Sequence, residues 1–434
     1  MNNDSFRFEA LGLFNTDNPH QDSAFDSTPN ISSVTSLLFP DSGNRITDPE
    51  IIGDNAIKNR SYTIACFQYA RALSCAEDDL KKSSNDPRKI RLVCRLYCKL
   101  GYVSASLHDT AEAKEKFAKL HKLAKRLPND ISVQQLLSVS YCALGNIAWA
   151  MGDYPMAQKY YMDSAEIQMA LAERFPHDPA ILQALSSSFE TLGNAAKELG
   201  DYRAASDYFL KTYKIRETHA NQFPDVPLLQ VDLASIYANL GDLATSLDDY
   251  GTASKWYSKA LSICQRLAEQ FPNDTEKMAA LSTAYSNLGC LSLHSGDYGK
   301  ANDYLMQAYK IIKDLTAKYP HDSQLRDKLG FSYACLGAVA KITNDYLTAK
   351  VYWGKSVKVF DRQLKFHPDN IFLMNRLATA LLQCATCGAD SNLSAKEISM
   401  LKDAAALFTK IYKRTGYKEY AESAAEAKRL LKGS

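Results

Sequence analysis

The 434-residue chain has almost no net charge. Its 51 Lys and Arg stand against 49 Asp and Glu, leaving +2, so no global pull toward nucleic acid or an anionic membrane is expected. No apolar run approaches the roughly 18 residues a membrane-spanning helix needs. Met1 to Phe14 mixes Asn, Asp, Arg and Glu with apolar positions and lacks the charged start and apolar core of a secretory signal. Catalytic signatures are missing too: there is no His-Glu-x-x-His, phosphate-binding Gly-Lys loop, nucleophile elbow or dinucleotide fingerprint. The reading is therefore of a protein that is not an enzyme, has no cofactor and inserts in no membrane. Tryptophan is scarce, with three against 25 tyrosines.

What is present is a period. Leu127-Pro128, Phe175-Pro176, Phe223-Pro224, Phe271-Pro272, Tyr319-Pro320 and His367-Pro368 follow one another at steps of 48 residues. Gly145, Gly193, Gly241, Gly289 and Gly337 keep the same step, each preceded by Leu. Leu137, Tyr141 and Gly145, with their counterparts in the later units, lie at i, i+4 and i+8 and mark one helical stripe. After the glycine come Tyr154, Tyr202, Tyr250, Tyr298 or Tyr346 at a turn, then Ala157, Ala205, Ala253, Ala301 or Ala349 on a second stripe. The repeat glycine is expected to end the first helix and the following Asp to cap the second. Asp130, Asp178, Asp274 and Asp322 read as caps of first helices, and no proline falls where a helix interior is expected. Each unit is thus two antiparallel helices of roughly 20 residues. One unit cannot bury its own stripe, so the units stack. Fourteen of the 25 tyrosines fall at three repeat positions and read as spacers between helices.

Leu288-Gly289, Ala301, Leu305 and Ala308, like Leu240-Gly241, Ala253, Tyr257 and Ala260, resemble the tetratricopeptide repeat, with a unit of 48 residues rather than the family's 34. The excess divides into about two turns at each end, similar in style to the longer units of kinesin light chains. The resemblance implies an all-α, right-handed α-solenoid of about six to seven helix-turn-helix repeats with terminal capping helices. It also implies that first helices line a concave groove for a peptide or partner helix. Groove positions carried over from the family include Asn146, Trp149, Glu190, Asn194, Lys197, Asp242, Thr245 and Lys341. Asn side chains there, with donor and acceptor together, suit gripping a ligand backbone; the alternative is a solvated inner face. Cys142 and Glu190 stand where a carboxylate clamp needs Lys, so no such clamp is expected.

The ends differ from the array. Residues 1–55 hold nine acidic and two basic side chains and four prolines, and read as an acidic, disordered arm with apolar knots at Phe6, Phe8, Leu11 and Phe14 and at Leu37-Leu38-Phe39. The knots read as sticky spots of a tail; the alternative is that one docks on the array, of the same chain or a neighbour, and blocks the groove until a partner displaces it. Residues 56–83 read as an N-terminal capping helix, 84–415 as the solenoid with repeats starting near 129, 177, 225, 273, 321 and 369, and 416–434 as a C-terminal capping helix and tail. The unit of Val93, Tyr97, Gly101, Ala113 and Phe117 has a shortened second helix, and the last unit carries Ala385 in place of glycine, followed by a polar stretch at 390–394. Ten cysteines without metal-ligand spacing, the lone Cys384-x-x-Cys387 included, read as packing residues in a reducing compartment, and no metal is expected. His177 and His321 recur at the same corner and read as turn residues. The function these features imply is a cytoplasmic, non-catalytic scaffold that binds a protein or peptide and no nucleic acid. The alternatives are a peptide-sensing regulator and a bacterial effector or effector-regulator acting in a host-cell cytosol.

Overall fold

The computed structural model describes residues 49–58, 61–107, 109–151, 153–320, 322–366, 368, 370–388 and 393–432. The acidic arm through residue 48, His321 and most of the polar stretch after Gly388 lie outside the described residues. All the regular structure described is helical. Seventeen helices follow one another: α1 Pro49–Lys58, α2 Tyr62–Lys82, α3 Pro87–Ser106, α4 Thr110–Ala124, α5 Ile131–Ala150, α6 Tyr154–Arg174, α7 Pro179–Glu198, α8 Tyr202–Gln222, α9 Pro227–Ser246, α10 Tyr250–Gln270, α11 Thr275–His294, α12 Tyr298–Lys318, α13 Ser323–Ile342, α14 Tyr346–Phe366, α15 Ile371–Ala385, α16 Ala395–Thr415 and α17 Lys418–Lys432. They pair as antiparallel hairpins, seven of them from α3 to α16, with α17 closing the chain. The chain divides into two compact units, one ending at His219 and the other starting at Ala220, inside α8. Within each unit a first helix packs on its own second helix, and that helix packs on the next first helix.

Helix boundaries follow local chemistry. Asp130, Asp178, Asp274 and Asp322 accept hydrogen bonds from backbone N–H groups in the first turns of α5, α7, α11 and α13. Asp153, Asp201, Asp249, Asp297 and Asp345 do the same for the second helices. Val226 opens α9 without a side-chain cap. The helix α4 has 15 residues where α6 has 21, as the short spacing before Pro128 requires.

The repeat glycines do not end the first helices. Gly145, Gly193, Gly241, Gly289 and Gly337 lie inside them, with five helical residues still to follow, as from Gly145 to Ala150. The chain turns seven residues after the repeat glycine, where Gly200, Asp248, Gly296 and Asn344 take φ between 58° and 78°. The repeat glycine serves a different purpose. A Cβ on Gly145 would stand 2.3 Å from the Tyr161 ring, and one on Gly241 would stand 2.5 Å from that of Tyr257. Gly101 with Phe117, Gly193 with Phe209, Gly289 with Leu305 and Gly337 with Trp353 repeat the contact sixteen residues on. Phe117, Phe209 and Trp353 are fully buried there.

A second fastening lies deeper in the hairpin between small residues 26 apart. Ser138 and Ser164 hydroxyls meet at 2.8 Å, and Thr212 donates to the Ser186 carbonyl at 3.2 Å. Ser282 donates to Ala308 O at 2.9 Å and Ser356 to Gly330 O at 3.0 Å. Hydroxyls of this size let the two backbones approach while leaving no polar atom unpaired.

The same stereochemistry revises the N-terminus. Helix α1 begins at Pro49, inside the stretch read as an arm, and α2 is not a lone cap. Gly53 stands 2.4 Å, by its absent Cβ, from the ring of Tyr69, so α1 and α2 form a hairpin of the repeat type. Charges fasten it to α3. The Lys99 ammonium, 1% exposed, meets Asp54 at 2.7 Å and Glu50 at 2.9 Å, and Arg95 grips Glu50 with two nitrogens. Burial pushes the Glu50 carboxyl up, but the Arg95 hydrogen bond and the Lys99 charge outweigh it and hold it below its ordinary value.

Two outcomes test this packing. Gly145→Ala forces the Tyr161 ring out of its seat and should cost about 1–3 kcal/mol, the usual range for overpacking, read as a lower denaturant midpoint. His121 is half-buried beside Tyr141 with Nε2 2.7 Å from the Ser140 hydroxyl, and its loss of solvent pushes its pKa from 6.5 to about 4. The unfolded chain therefore takes up the proton first, and stability falls as pH drops from 6.5 toward 4. His121→Gln should flatten that part of the pH–stability curve.

Candidate partner-binding surface

The residue after each repeat glycine faces the side chain fifteen positions on. Tyr161 donates its hydroxyl to Asn146 Oδ1 at 2.8 Å, Tyr257 to Asp242 Oδ1 at 2.5 Å and Tyr69 to Asp54 Oδ1 at 2.7 Å. Each bond is buried and closes a hairpin from within. Burial and the Asp242 carboxylate push the Tyr257 hydroxyl far up, so it stays a donor. In two later hairpins the seated side chain has no hydroxyl and the residue after the glycine is not an oxygen acceptor: Cys290 with Leu305, and Ala338 with Trp353.

Asn194 breaks this pattern. Its ring is Phe209, and the buried Asn194 Oδ1 accepts no hydrogen bond. One repeat earlier, Asn146 satisfies its oxygen through Tyr161, but its buried Nδ2 has no partner. The Ser187 hydroxyl on α7 is buried and unpartnered as well. A buried polar group left without a partner costs about 1–3 kcal/mol, so these three atoms hold unused hydrogen-bonding capacity within the unit that ends at His219.

The other expected groove residues are already engaged. Glu190 is buried and takes Arg216 at 2.5 Å. Lys197 is buried, with its ammonium 3.7 Å from Glu198. Trp149 is half-buried and meets the Tyr154 ring edge-on at 4.6 Å. In the unit that begins at Ala220, Thr245 is buried, donates to the Gly241 carbonyl at 2.9 Å and lies 3.4 Å from the Tyr257 hydroxyl. Lys341 donates to Gln383 on α15 at 2.8 Å and to Thr386, which caps that helix, at 3.0 Å, and burial lowers its pKa. The eight residues therefore divide between two units, and Asn146 and Asn194 are the two whose side chains hold a buried polar atom without a partner. The tyrosines at the partner position were not read as part of a site; the signal for them was the fifteen-residue offset between each Asn or Asp and its Tyr.

Flanking the glycine–ring seam, an aromatic pair recurs in the five hairpins from α5 to α14. Phe189 and Tyr208 stack at 6.1 Å, Tyr237 and Trp256 at 5.5 Å, and Tyr333 and Tyr352 at 6.2 Å. Lys211, Lys259 and Lys355 lie over these pairs. The cysteines are unpaired thiols, and burial raises Cys387 to about 11 and Cys94 to about 12, away from thiolate chemistry. Among the described residues no three His, Cys, Asp or Glu side chains gather as a metal requires, and no helix is long and apolar enough to cross a membrane.

A family model for the tetratricopeptide repeat matches residues 139–168, 186–219, 234–266 and 282–315. These four stretches are tetratricopeptide repeats. Each match runs from within a first helix into its second, so the extra turns of this chain lie at the outer ends of the hairpins. Among solved structures, the apo form of RapI is 14% identical, with 89% of this chain and 98% of that chain covered and a TM-score of 0.52. BtubC (BKLC) from P. vanneervenii is 21% identical over 58% of this chain and 91% of its own, with a TM-score of 0.44. The apo form of the quorum sensor NprR from B. thuringiensis is 12% identical over 92% and 96%, with a TM-score of 0.46. Likeness at these identities is likeness of fold. No curated protein sequence matches the chain.

Phe209→Tyr restores the missing donor. It should stabilise the protein by about 0.5–1.5 kcal/mol, the net worth of one hydrogen bond, seen as a higher denaturant midpoint. Asn194→Ala in the same background should remove the gain.

Proposed function

We propose that the chain is a non-catalytic interaction scaffold that holds a protein or peptide segment on the first-helix face of α5 and α7. Asn194 is the central contact. The observation that carries the reading is its unmet acceptor, in a position where Asp54, Asn146 and Asp242 are each closed by a tyrosine. An acceptor that the fold leaves unpaired is open to a ligand backbone N–H once the side chains that cover it move aside. Asn146 Nδ2 offers the complementary donor one repeat away, so a ligand backbone can be met in both senses, N–H and C=O. Two or three such contacts give register more than affinity; shape and apolar burial supply the rest. Unpaired cysteines suit action in a reducing compartment, either the cytoplasm of its own cell or that of a host.

Capture of a binding segment by the full-length chain, followed by its affinity for variants, tests the assignment. Asn194→Ala should weaken binding at least ten-fold. Phe209→Tyr should also weaken it, because the new hydroxyl occupies the acceptor, and this variant is expected to be more stable, so unfolding is no explanation for the loss. Asp242→Asn should leave affinity unchanged. If both Asn194→Ala and Phe209→Tyr bind as the parent does, the partner sits elsewhere.

A further inference from the structure

The last two helices carry a feature that the repeat does not require. Between α16 and α17 lies an open cleft of about 560 Å³. It is lined by Ala405, Ala406, Thr409 and Leu431 together with Lys402, Lys410, Lys413 and Lys428. Among the described residues no acidic side chain lines it. Lys410 reaches the Pro368 carbonyl at 3.3 Å. Lys402, Lys413 and Lys428 are exposed and form no ion pair among the described residues. Lys402, Lys413 and Lys428 thus present positive charge beside apolar surface, a combination that suits an occupant bringing carboxylates and apolar side chains. The aliphatic stems of the lysines extend the apolar surface such an occupant meets.

The chain contains a segment of that chemistry. Residues 1–48 hold seven carboxylates against two arginines, while the whole chain nets +2, so the positive excess lies in the remainder. Within them, Asp4, Glu9 and Asp17, against the single Arg7, are interspersed with Phe6, Phe8, Leu11, Leu13 and Phe14. We propose that residues 4–17 of the same chain dock in the lysine-lined cleft, apolar side chains against Ala405 and Leu431 and carboxylates toward Lys402, Lys413 and Lys428. The 31 residues from Asn18 to Asp48 span up to about 100 Å when extended. A linker that reaches the cleft makes the encounter intramolecular, so that a cleft of modest intrinsic affinity can be occupied in cis. A partner with a stronger acidic and apolar segment then competes for the same lysines.

Hydrogen–deuterium exchange on the full-length protein reads the contact directly. Amides of residues 4–17 should exchange at least ten-fold more slowly than in the isolated peptide at low salt, and the protection should fall as NaCl rises from 0.05 to 0.5 M. The triple variant Lys402→Glu, Lys413→Glu, Lys428→Glu should abolish it. So should Phe8→Ser with Leu11→Ser, a change outside the helical array that leaves the array's folding intact. Exchange at the free-peptide rate in the parent protein overturns the proposal, as does protection that survives both variants. Protection that grows with protein concentration also overturns it, because the segment of a second copy then fills the cleft.

Discussion

The contact on which the described fold depends is the seating of one side chain against a glycine in the facing helix of the same hairpin. Seven times between Gly53 and Trp353 a ring or leucine lies where a Cβ would be, sixteen residues after the glycine. Antiparallel helices that approach this closely cannot slide past each other, because a shift of one residue puts a side chain against the ring. The small residues 26 apart, Ser138 with Ser164 or Ser356 with Gly330, hold the same register farther along. Local propensity does little here; a glycine inside a helix costs about 1 kcal/mol relative to alanine, and the packing of a buried ring offsets it.

That seam also determines which polar groups are structural. Once the ring is seated, the residue after the glycine is carried inward and faces its tip, so Asp54, Asn146 and Asp242 become partners of tyrosine hydroxyls rather than parts of an open groove. Asn194 stands out only against this background. Taken alone it is one Asn among many; set beside its three counterparts, the loss of a single hydroxyl at Phe209 leaves an acceptor that the protein does not use.

Particular residues show where sequence reasoning stopped. The 48-residue step, the capping aspartates and the shortened α4 were legible because each depends on a few neighbouring positions. The first hairpin was missed although Gly53 lies 48 residues before Gly101 and Tyr69 sixteen after Gly53. Ile52 replaces the usual Leu, and the acidic residues Glu50 and Asp54 read as a continuation of the arm. Their carboxylates belong there because Lys99 and Arg95, on the next hairpin, meet them. The repeat glycines were assigned to helix ends because glycine commonly stops a helix. The turns use Gly200, Asp248, Gly296 and Asn344 instead, and nothing in the local spacing distinguishes a glycine that ends a helix from one that admits a ring.

By itself the sequence determined the helical hairpin, its period and its caps, since these follow from spacing, from the φ of proline and from the side-chain oxygen of Asp. Only the tertiary structure decided which side chain lies opposite which. That assignment separates Asn194 from Asn146 and Asp242, removes Glu190, Lys197 and Lys341 from the open surface, and gathers four lysines of α16 and α17 around one cleft. The physical reason is that burial and hydrogen-bond satisfaction are properties of pairs of helices, and a pattern read along one helix does not contain them.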